Sequence, residues 1–404
     1  MFRNSRGENK ETILLENMNT YSFPQSKSVD TYGIVCFSHL RWNFVFQRPQ
    51  HLLSRFAKTR DVLVIEEPEY HDGAPGFVID GTDEGVKVAV PHLPLGTAPD
   101  QAERILKTLV DELLDSQNIK NYVAWYYTPM MLAWSEHLRP LATVYDCMDE
   151  LSAFKNAPEE LRTREAELFG LADLVFTGGR SLYEVKRERH DAVYCFPSSI
   201  DVKHFARALE VDEEPLDQIE IPHPRIGFFG VIDERTDIGL LQEIAELRPD
   251  WQFVMIGPVV KISEDDLPRG ENIHYLGGKS YDELPDYIAG WDVAMMPFAM
   301  NESTRFISPT KTPEYLAAGR PVVSTPIRDV VRPYGEAGLV EIASTASEFA
   351  DAIQRFLVED ASERQKKANE FLETMSWDKT YQAMSELIDD AIAANAERSA
   401  SASV

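Results

Sequence analysis

In the stretch SPTKTPEYLAAGRPVVSTP, Ser308 to Pro326, Lys311 and Glu314 stand three residues apart at the start of a short helix. Either Ser308 caps that helix with Pro309 at its first position, or Thr312 caps it with Pro313 there, and both are good start signals. In either case Thr310, Lys311 and Glu314 crowd the positive end of a helix dipole, where anions bind. A lysine adds a point charge to a phosphate, and a carboxylate accepts two hydrogen bonds from a diol such as a ribose edge. Phosphate and ribose together describe a nucleotide. The plainer alternative is a surface ion pair between Lys311 and Glu314, worth at most about 0.5 kcal/mol at this spacing. Small residues follow, Ala317-Ala318-Gly319, and then Pro321-Val322-Val323, so the helix packs closely and the chain returns at once to a sheet.

Other groups stand at the ends of apolar runs. Asp233-Glu234-Arg235 follows RIGFFGV, and arginine is a good fork for phosphate oxygens. Gly277, Lys279 and Ser280 follow NIHYL. His39, Arg41 and Arg48 flank the loop after GIVCFS. Asp146 and Asp149 end ATVYDCMD; either offers a base for a hydroxyl, and Asp149 has the alternative of capping the next helix.

Bringing these groups together takes two sheets. From residue 31 apolar runs that read as strands (GIVCFS, DVLVIEE, VKVAVPHL, YVAWYY, ATVYDCM, DLVFTG, AVYCFPS) alternate with segments of helical spacing (PQHLLSRFAK, AERILKTLVDELLDS, MLAWSEHL, PEELRTREAELFGLA, SLYEVKRER). The Pro- and acid-rich VDEEPLDQIEIPHP marks a boundary, and the alternation restarts with RIGFFG, WQFVMIG, NIHYLG, DVAMMPF, PVVST and LVEIA. Such alternation gives parallel sheets. The predicted fold is therefore α/β, with two doubly wound Rossmann-like domains facing a cleft, over residues 31–205 and 206–375. Residues 1–30 read as a flexible segment, 376–395 as an amphipathic helix and 396–404 as a disordered tail.

Composition narrows the partners. The chain has 404 residues and a net charge of −27, which opposes nucleic acid as the main partner. Thr31 to Arg60 holds no Asp or Glu but carries Arg41, Arg48, Arg55, Lys58 and Arg60, a local basic segment suited to an anionic ligand or peripheral membrane contact. Cys36, Cys147 and Cys195 are far apart, which fits a reduced compartment without structural zinc. The N-terminus lacks a signal-peptide pattern, so the expected location is cytoplasmic, with peripheral contact at the inner membrane face. The chain has no D-x-D, no Walker A and no G-x-G-x-x-G after the first strand, so metal-held diphosphate chemistry, ATP hydrolysis and NAD use lack their fingerprints.

At this point the sequence resembles a known family. PEYLAAGRPVVST preceded by SPTK is similar to the nucleotide-sugar helix of GT-B glycosyltransferases of the family-4-like, or group 1, type. ADLVFTGGRSLYE, FPSSIDVKHF and RIGFFGVIDERTDIGLL resemble that group's last acceptor-domain strand and helix, its interdomain segment and its donor phosphate loop. FSHLRWNFVFQRPQHLLSR and VYDCMDE are similar to a bacterial subset acting in polysaccharide and cell-wall saccharide assembly. SWDKTYQAM resembles the helix that crosses back to the first domain.

The resemblance implies a transferase moving a sugar from a nucleotide-diphosphate donor, most simply a UDP-sugar, to a saccharide or lipid-linked saccharide, with no cofactor and no metal. It places Arg235, Lys311, Thr310 and Ser308 on the donor diphosphate. Glu314, Gly277, Lys279 and Ser280 fall on the nucleoside. Asp146 and His39 take catalytic roles, and Arg48, Arg41, Asp149, Asn301, Thr304 and Arg305 contact the donor sugar or the acceptor. Chains similar to this one occur beside or fused to UDP-galactopyranose mutase, which implies a functional link to that enzyme. One departure stands out: many members carry two glutamates eight positions apart, and here the earlier position is Phe306, leaving Asn301, Glu302, Thr304 or Arg305 to take over its contact. A same-fold nucleotide-sugar epimerase and a non-catalytic sugar-nucleotide binder are the rival readings.

Overall fold

Strands buried on both faces need unbroken apolar runs, and helices must then cover both sides of the sheet. Val62–Glu66, Tyr122–Tyr126 and Arg225–Phe229 are buried at every position. The computed structural model describes residues 32–402; the N-terminal segment 1–30 lies outside them. Nine strands form the first sheet: β1 Gly33–Ser38, β2 Val62–Glu66, β3 Glu69–His71, β4 Gly76–Gly81, β5 Lys87–Pro94, β6 Tyr122–Tyr126, β7 Ala142–Cys147, β8 Leu174–Thr177 and β9 Val193–Cys195. Its order is β3-β5-β2-β1-β6-β7-β8-β9, with β4 paired antiparallel to β5. The second sheet has six strands: β10 Arg225–Phe229, β11 Gln252–Ile256, β12 Ile273–Tyr275, β13 Val293–Met296, β14 Val322–Ser324 and β15 Val340–Ile342. All its pairs are parallel, in the order β12-β11-β10-β13-β14-β15.

Side chains alternate across the second sheet, as the pleat requires. Ile226, Phe228, Phe253 and Met255 pack with Ile244 and Phe349 on one face, and Phe229, Val254 and Ile256 pack with Ile288 and Tyr315 on the other. The two-sheet α/β architecture and the returning C-terminal helix agree with the sequence. The short β3 and the β4 hairpin were not legible there, because Glu69–His71 is only three residues long and the apolar run in Gly76–Gly81 is only Phe77-Val78-Ile79. The helix Ser362–Leu372, mostly polar, also escaped notice. The last helix runs from Trp377 to Ala402, so the tail expected to be disordered is helical through Ala402; Asn395 and Arg398 anchor it on the Leu141 carbonyl and Asp173.

The C-terminal helix lies against the first domain's helix Arg48–Ala57 and strand β7. Trp377 stacks on His51 with ring centroids 4.6 Å apart, and Phe46 and Tyr281 meet the same imidazole edge-on. Tyr281, from the second domain, also stacks on His204 at 4.1 Å and on Phe46 at 4.7 Å. A second tie crosses the seam at the helix Arg180–Lys186. Its N-cap is Gly179, which has no side chain to cap with. The Ser181 N–H donates instead to Asp329 of the second domain, at 3.0 Å.

Four of the five cations of the basic segment are paired with carboxylates. Arg41 pairs with Glu66, Arg48 with Asp146, Arg55 with Asp378 and Arg60 with Asp389. No helix among the described residues is long and apolar enough to cross a membrane.

Burial pushes the His51 imidazole down from 6.5 to about 3, and the charges of Arg55 and His204 add to this. The unfolded chain therefore binds the extra proton, so the stability from neutral His51 is complete above pH 6.5 and is lost as pH falls toward 3. His51→Phe keeps the aromatic packing but cannot titrate. Its melting temperature should fall less steeply than wild type's between pH 6.5 and 5, corresponding to roughly 2 kcal/mol less acid destabilisation. Identical pH slopes would contradict this assignment.

Candidate functional site

In open parallel sheets, ligands sit beyond the carboxyl ends of strands where the strand order reverses. The reversal falls between β1 and β6 in the first sheet and between β10 and β13 in the second. His39 follows β1, and Gly230 to Arg235 follows β10. Gly230 has φ +147° and Gly257, after β11, has φ +142°. A β-carbon at Gly257 would run into the Gly230 carbonyl, and one at Gly230 into the Lys311 side chain. Both positions need glycine to let the loops and the lysine close in.

The second domain gathers cations there. Arg235 is held by Asp233 through Nε at 3.0 and 3.1 Å and Nη2 at 2.7 Å. Burial works against its charge, but the hydrogen bonds and field of Asp233, with Asp149 and Glu234, raise its pKa on balance. Its Nη1 makes no hydrogen bond to any described residue. The helix carrying Lys311 spans Lys311–Ala317, with Thr310 at its N-cap and Pro313 inside its first turn. Neither predicted start is realised: the Thr312 N–H reaches Pro309 and the Glu314 N–H reaches Thr310, so the turn begins between the two prolines' cap positions. Lys311 makes no hydrogen bond to any described residue. Burial pulls its pKa down, Glu314 raises it, and Arg235 lowers it further.

Glu314 is 7% exposed. Burial lifts its carboxyl from 4.5 to about 7 against the pull of Lys311 and a hydrogen bond from Thr310. Its Oε2 is buried without a partner, as is the Tyr281 hydroxyl, whose pKa is raised by burial and then by Glu314. The pair of cations with an unsatisfied carboxylate can hold an anion and, beside it, hydroxyl donors. Ser308 lies at the seam, where a β-carbon on Gly179 would approach its own within 2.8 Å.

On the first domain, burial and the Lys261 charge push the His39 imidazole down to about 4, opposed by its hydrogen bond to the Tyr127 backbone. Its Nδ1 is buried and unpartnered. A neutral ring that donates through one nitrogen leaves the other as an acceptor. Asp149 does not cap the next turn, whose N-cap is Glu150. It faces Arg235, Arg48 and Lys261, and burial raises its pKa against their pull.

Several expected site residues are otherwise engaged. Asp146 is 0% and Arg48 1% exposed. They bind each other through Nε at 3.0 and 3.1 Å and Nη2 at 2.8 Å, while Arg48 Nη1 donates to the Phe196 carbonyl at 2.7 Å. A carboxylate sealed in this way cannot meet an acceptor hydroxyl, and the same bonds take Arg48 out of ligand contact. Arg41 is tied to Glu66 at 2.9 Å. Lys279 pairs with Asp217 at 2.5 Å, and Ser280 forms a capping box with Glu283. Gly277, at φ +71°, accepts from the Gly257 N–H. Asn301 caps Glu302–Thr304 and donates to the Glu234 carbonyl, Thr304 bonds the Ala299 carbonyl, and Arg305 pairs with Glu302 on the surface. Phe306 packs against the first domain's core beside a cavity of about 580 Å³ that Glu150, Lys186 and Arg189 also line.

Sequence reasoning missed Lys261. It sits in the loop after β11 at φ +64°, with Nζ 5.0 Å from the Phe154 ring centroid and 3.7 Å from Glu234 Oε1. The available signal was its position, a charge just beyond a strand of the second sheet. Among the described residues no group of three His, Cys, Asp or Glu side chains could hold a metal ion.

Residues 223–359 match the family Glycosyl transferases group 1. The chain is 27% identical over 237 residues to TuaH of Bacillus subtilis, a protein named as a teichuronic acid biosynthesis glycosyltransferase; the match covers 54% of this chain and 59% of TuaH. Sucrose-phosphate synthase from Thermosynechococcus elongatus superposes over 90% of this chain and 100% of its own, with TM-score 0.66 and 15% identity. HepE of Anabaena, solved in complex with UDP-glucose, superposes over 89% of this chain and 99% of its own, with TM-score 0.63 and 15% identity. At such identities these structures establish the fold, which is GT-B.

Asp146→Ala should lower stability by about 3–5 kcal/mol, because it leaves the Arg48 charge buried and unpaired. Adding Arg48→Met should recover much of that loss. Urea denaturation of the two variants checks this; an Asp146→Ala protein as stable as wild type would contradict the buried pair.

Proposed function

Starting from a chain of GT-B fold whose residues 223–359 match the group 1 glycosyl transferases, we propose that it transfers a sugar from a UDP-sugar to a saccharide or lipid-linked saccharide acceptor. The observation that carries this reading is the partly buried Lys311 ammonium, which makes no hydrogen bond to any described residue and feels the field of the Arg235 guanidinium. Two partly buried cations whose fields reach each other favour an anion between them, and a diphosphate supplies two negative groups. Glu314 then takes the ribose diol through the oxygen that the protein leaves unsatisfied.

In this mechanism charge builds on the departing UDP as the glycosidic bond to phosphate breaks. Arg235 and Lys311 are already oriented toward it, by Asp233 and by packing at Gly230, so little reorganisation is needed as the charge develops. Neutral His39 accepts a hydrogen bond from the transferring sugar through Nδ1. With Asp146 sealed, Asp149 is the first-domain carboxylate that meets the acceptor hydroxyl. Closure of the two domains on the donor excludes water. No cofactor or metal takes part in these steps. The name of TuaH, putative teichuronic acid biosynthesis glycosyltransferase, supports a saccharide as the acceptor class.

Titration of UDP tests the donor site. Wild type should bind UDP, and Arg235→Ala with Lys311→Ala should weaken it at least tenfold, since each removes a charge-assisted contact worth about 1.5–3 kcal/mol. Incubation with a panel of UDP-sugars should release free UDP that rises with added saccharide acceptor. A same-fold epimerase would leave the UDP attached, and a non-catalytic binder would release none.

Glu314 gives a further, pH-dependent outcome. Its carboxyl carries a proton in the free protein below about 7, and the ribose hydroxyls favour the ionised form. UDP affinity should therefore rise with pH up to about 7 and then level, with proton release on binding below that point. Glu314→Gln should abolish this dependence; calorimetry in buffers of different ionisation enthalpy reads both effects.

A further inference from the structure

The sequence leaves open which group replaces the carboxylate that Phe306 displaces. We propose that Glu234 grips the hydroxyls of the sugar being transferred, an inference that rests on the nucleotide-sugar reading above. The residues that sequence offered for this contact are engaged elsewhere. Asn301 caps a turn through its oxygen and donates its amide to the Glu234 carbonyl. Thr304 is buried and bonded to the Ala299 carbonyl, and Glu302 and Arg305 pair with each other on the surface.

Glu234 is in the opposite condition. Both of its carboxylate oxygens are buried, and neither has a hydrogen-bond partner. The nearest cation, Lys261 Nζ, lies 3.7 Å from Oε1, beyond hydrogen-bond length. An ionised carboxylate can accept at about four lone-pair sites, and buried polar groups left without partners call for an explanation in ligand or water. The backbone that carries Glu234 is fixed on both sides. Asn301 holds its carbonyl at 3.0 Å, and the preceding Asp233 is buried and locked onto Arg235. The carboxylate is thus held next in sequence to the guanidinium assigned to the diphosphate, which is bonded directly to the transferred sugar.

The chemistry of the contact defines the ligand class. An acceptor-only carboxylate pairs with hydroxyl donors, so the sugar presents neutral hydroxyls to Glu234. Lys261 must yield for the sugar to enter. Its left-handed backbone, uncommon for a residue with a side chain, and its perch over the Phe154 ring make it a stand-in for the missing donors. The loop after β11 then moves with the ligand, which explains why a lysine is held there without a hydrogen bond.

The test compares UDP with UDP-glucose and UDP-galactose as calorimetric ligands of wild type, Glu234→Gln and Glu234→Ala. The proposal expects UDP affinity to be unchanged in both variants. Binding of at least one UDP-hexose should weaken on the order of tenfold in Glu234→Ala, and by less in the isosteric glutamine variant, which keeps one acceptor oxygen. Unchanged ratios of UDP-hexose to UDP affinity would overturn the proposal. A parallel loss of UDP and both UDP-hexoses would also overturn it, assigning Glu234 to loop structure. Wild-type protein that binds none of the three would instead overturn the nucleotide reading of the site.

Discussion

A partly buried ammonium with no hydrogen bond to any described residue is the constraint on which the second domain's cleft wall depends. Lys311 is placed against Gly230 by a helix that starts between two prolines, and its pKa is depressed by burial. Such a charge is costly in the free protein unless an anion arrives to share the site. The features around it make sense on that basis: two glycines that let the strand-end loops approach, an arginine aimed by Asp233, and a glutamate whose carboxyl holds its proton up to about 7.

The buried charges of the molecule fall into two groups. Arg48 with Asp146, Lys186 with Glu150 and Glu165, and Arg225 with Glu214 are bonded to each other. They brace the domains and leave little over for chemistry. Other buried atoms have no hydrogen-bond partner; among them the Glu314 Oε2, both Glu234 oxygens and the His39 Nδ1 follow strands at the points where the two sheets reverse direction. An acidic protein can thus present a local anion site, because what acts on a bound diphosphate is the unpaired charge within a few ångströms and not the net charge.

This division explains what the sequence could reveal. The strands of both sheets were legible because double burial demands continuous apolar runs, as in VLVIE and QFVMI. Lys311, Glu314 and Arg235 were legible because helix starts and strand ends are local signals. Asp146 was misread because its partner Arg48 is 98 residues away, and no local pattern shows that two charges neutralise each other. The Ser280–Glu283 capping box was a local signal that outranked the ligand role given to Ser280. Lys261 and Glu234 were passed over since orphaned oxygens and a left-handed lysine exist only once the chain is folded. The helical tail was hidden by low-complexity AERSASASV, whose small residues say little about the contact Asn395 makes with Leu141.

A crystal structure of the protein with UDP would test the central claim most directly. The account predicts the diphosphate within hydrogen-bond reach of both Arg235 and Lys311, with the ribose hydroxyls on Glu314. A diphosphate found instead at the other side of the seam, among Arg180, Arg328 and Arg332, which line a separate cavity of about 260 Å³, would contradict it.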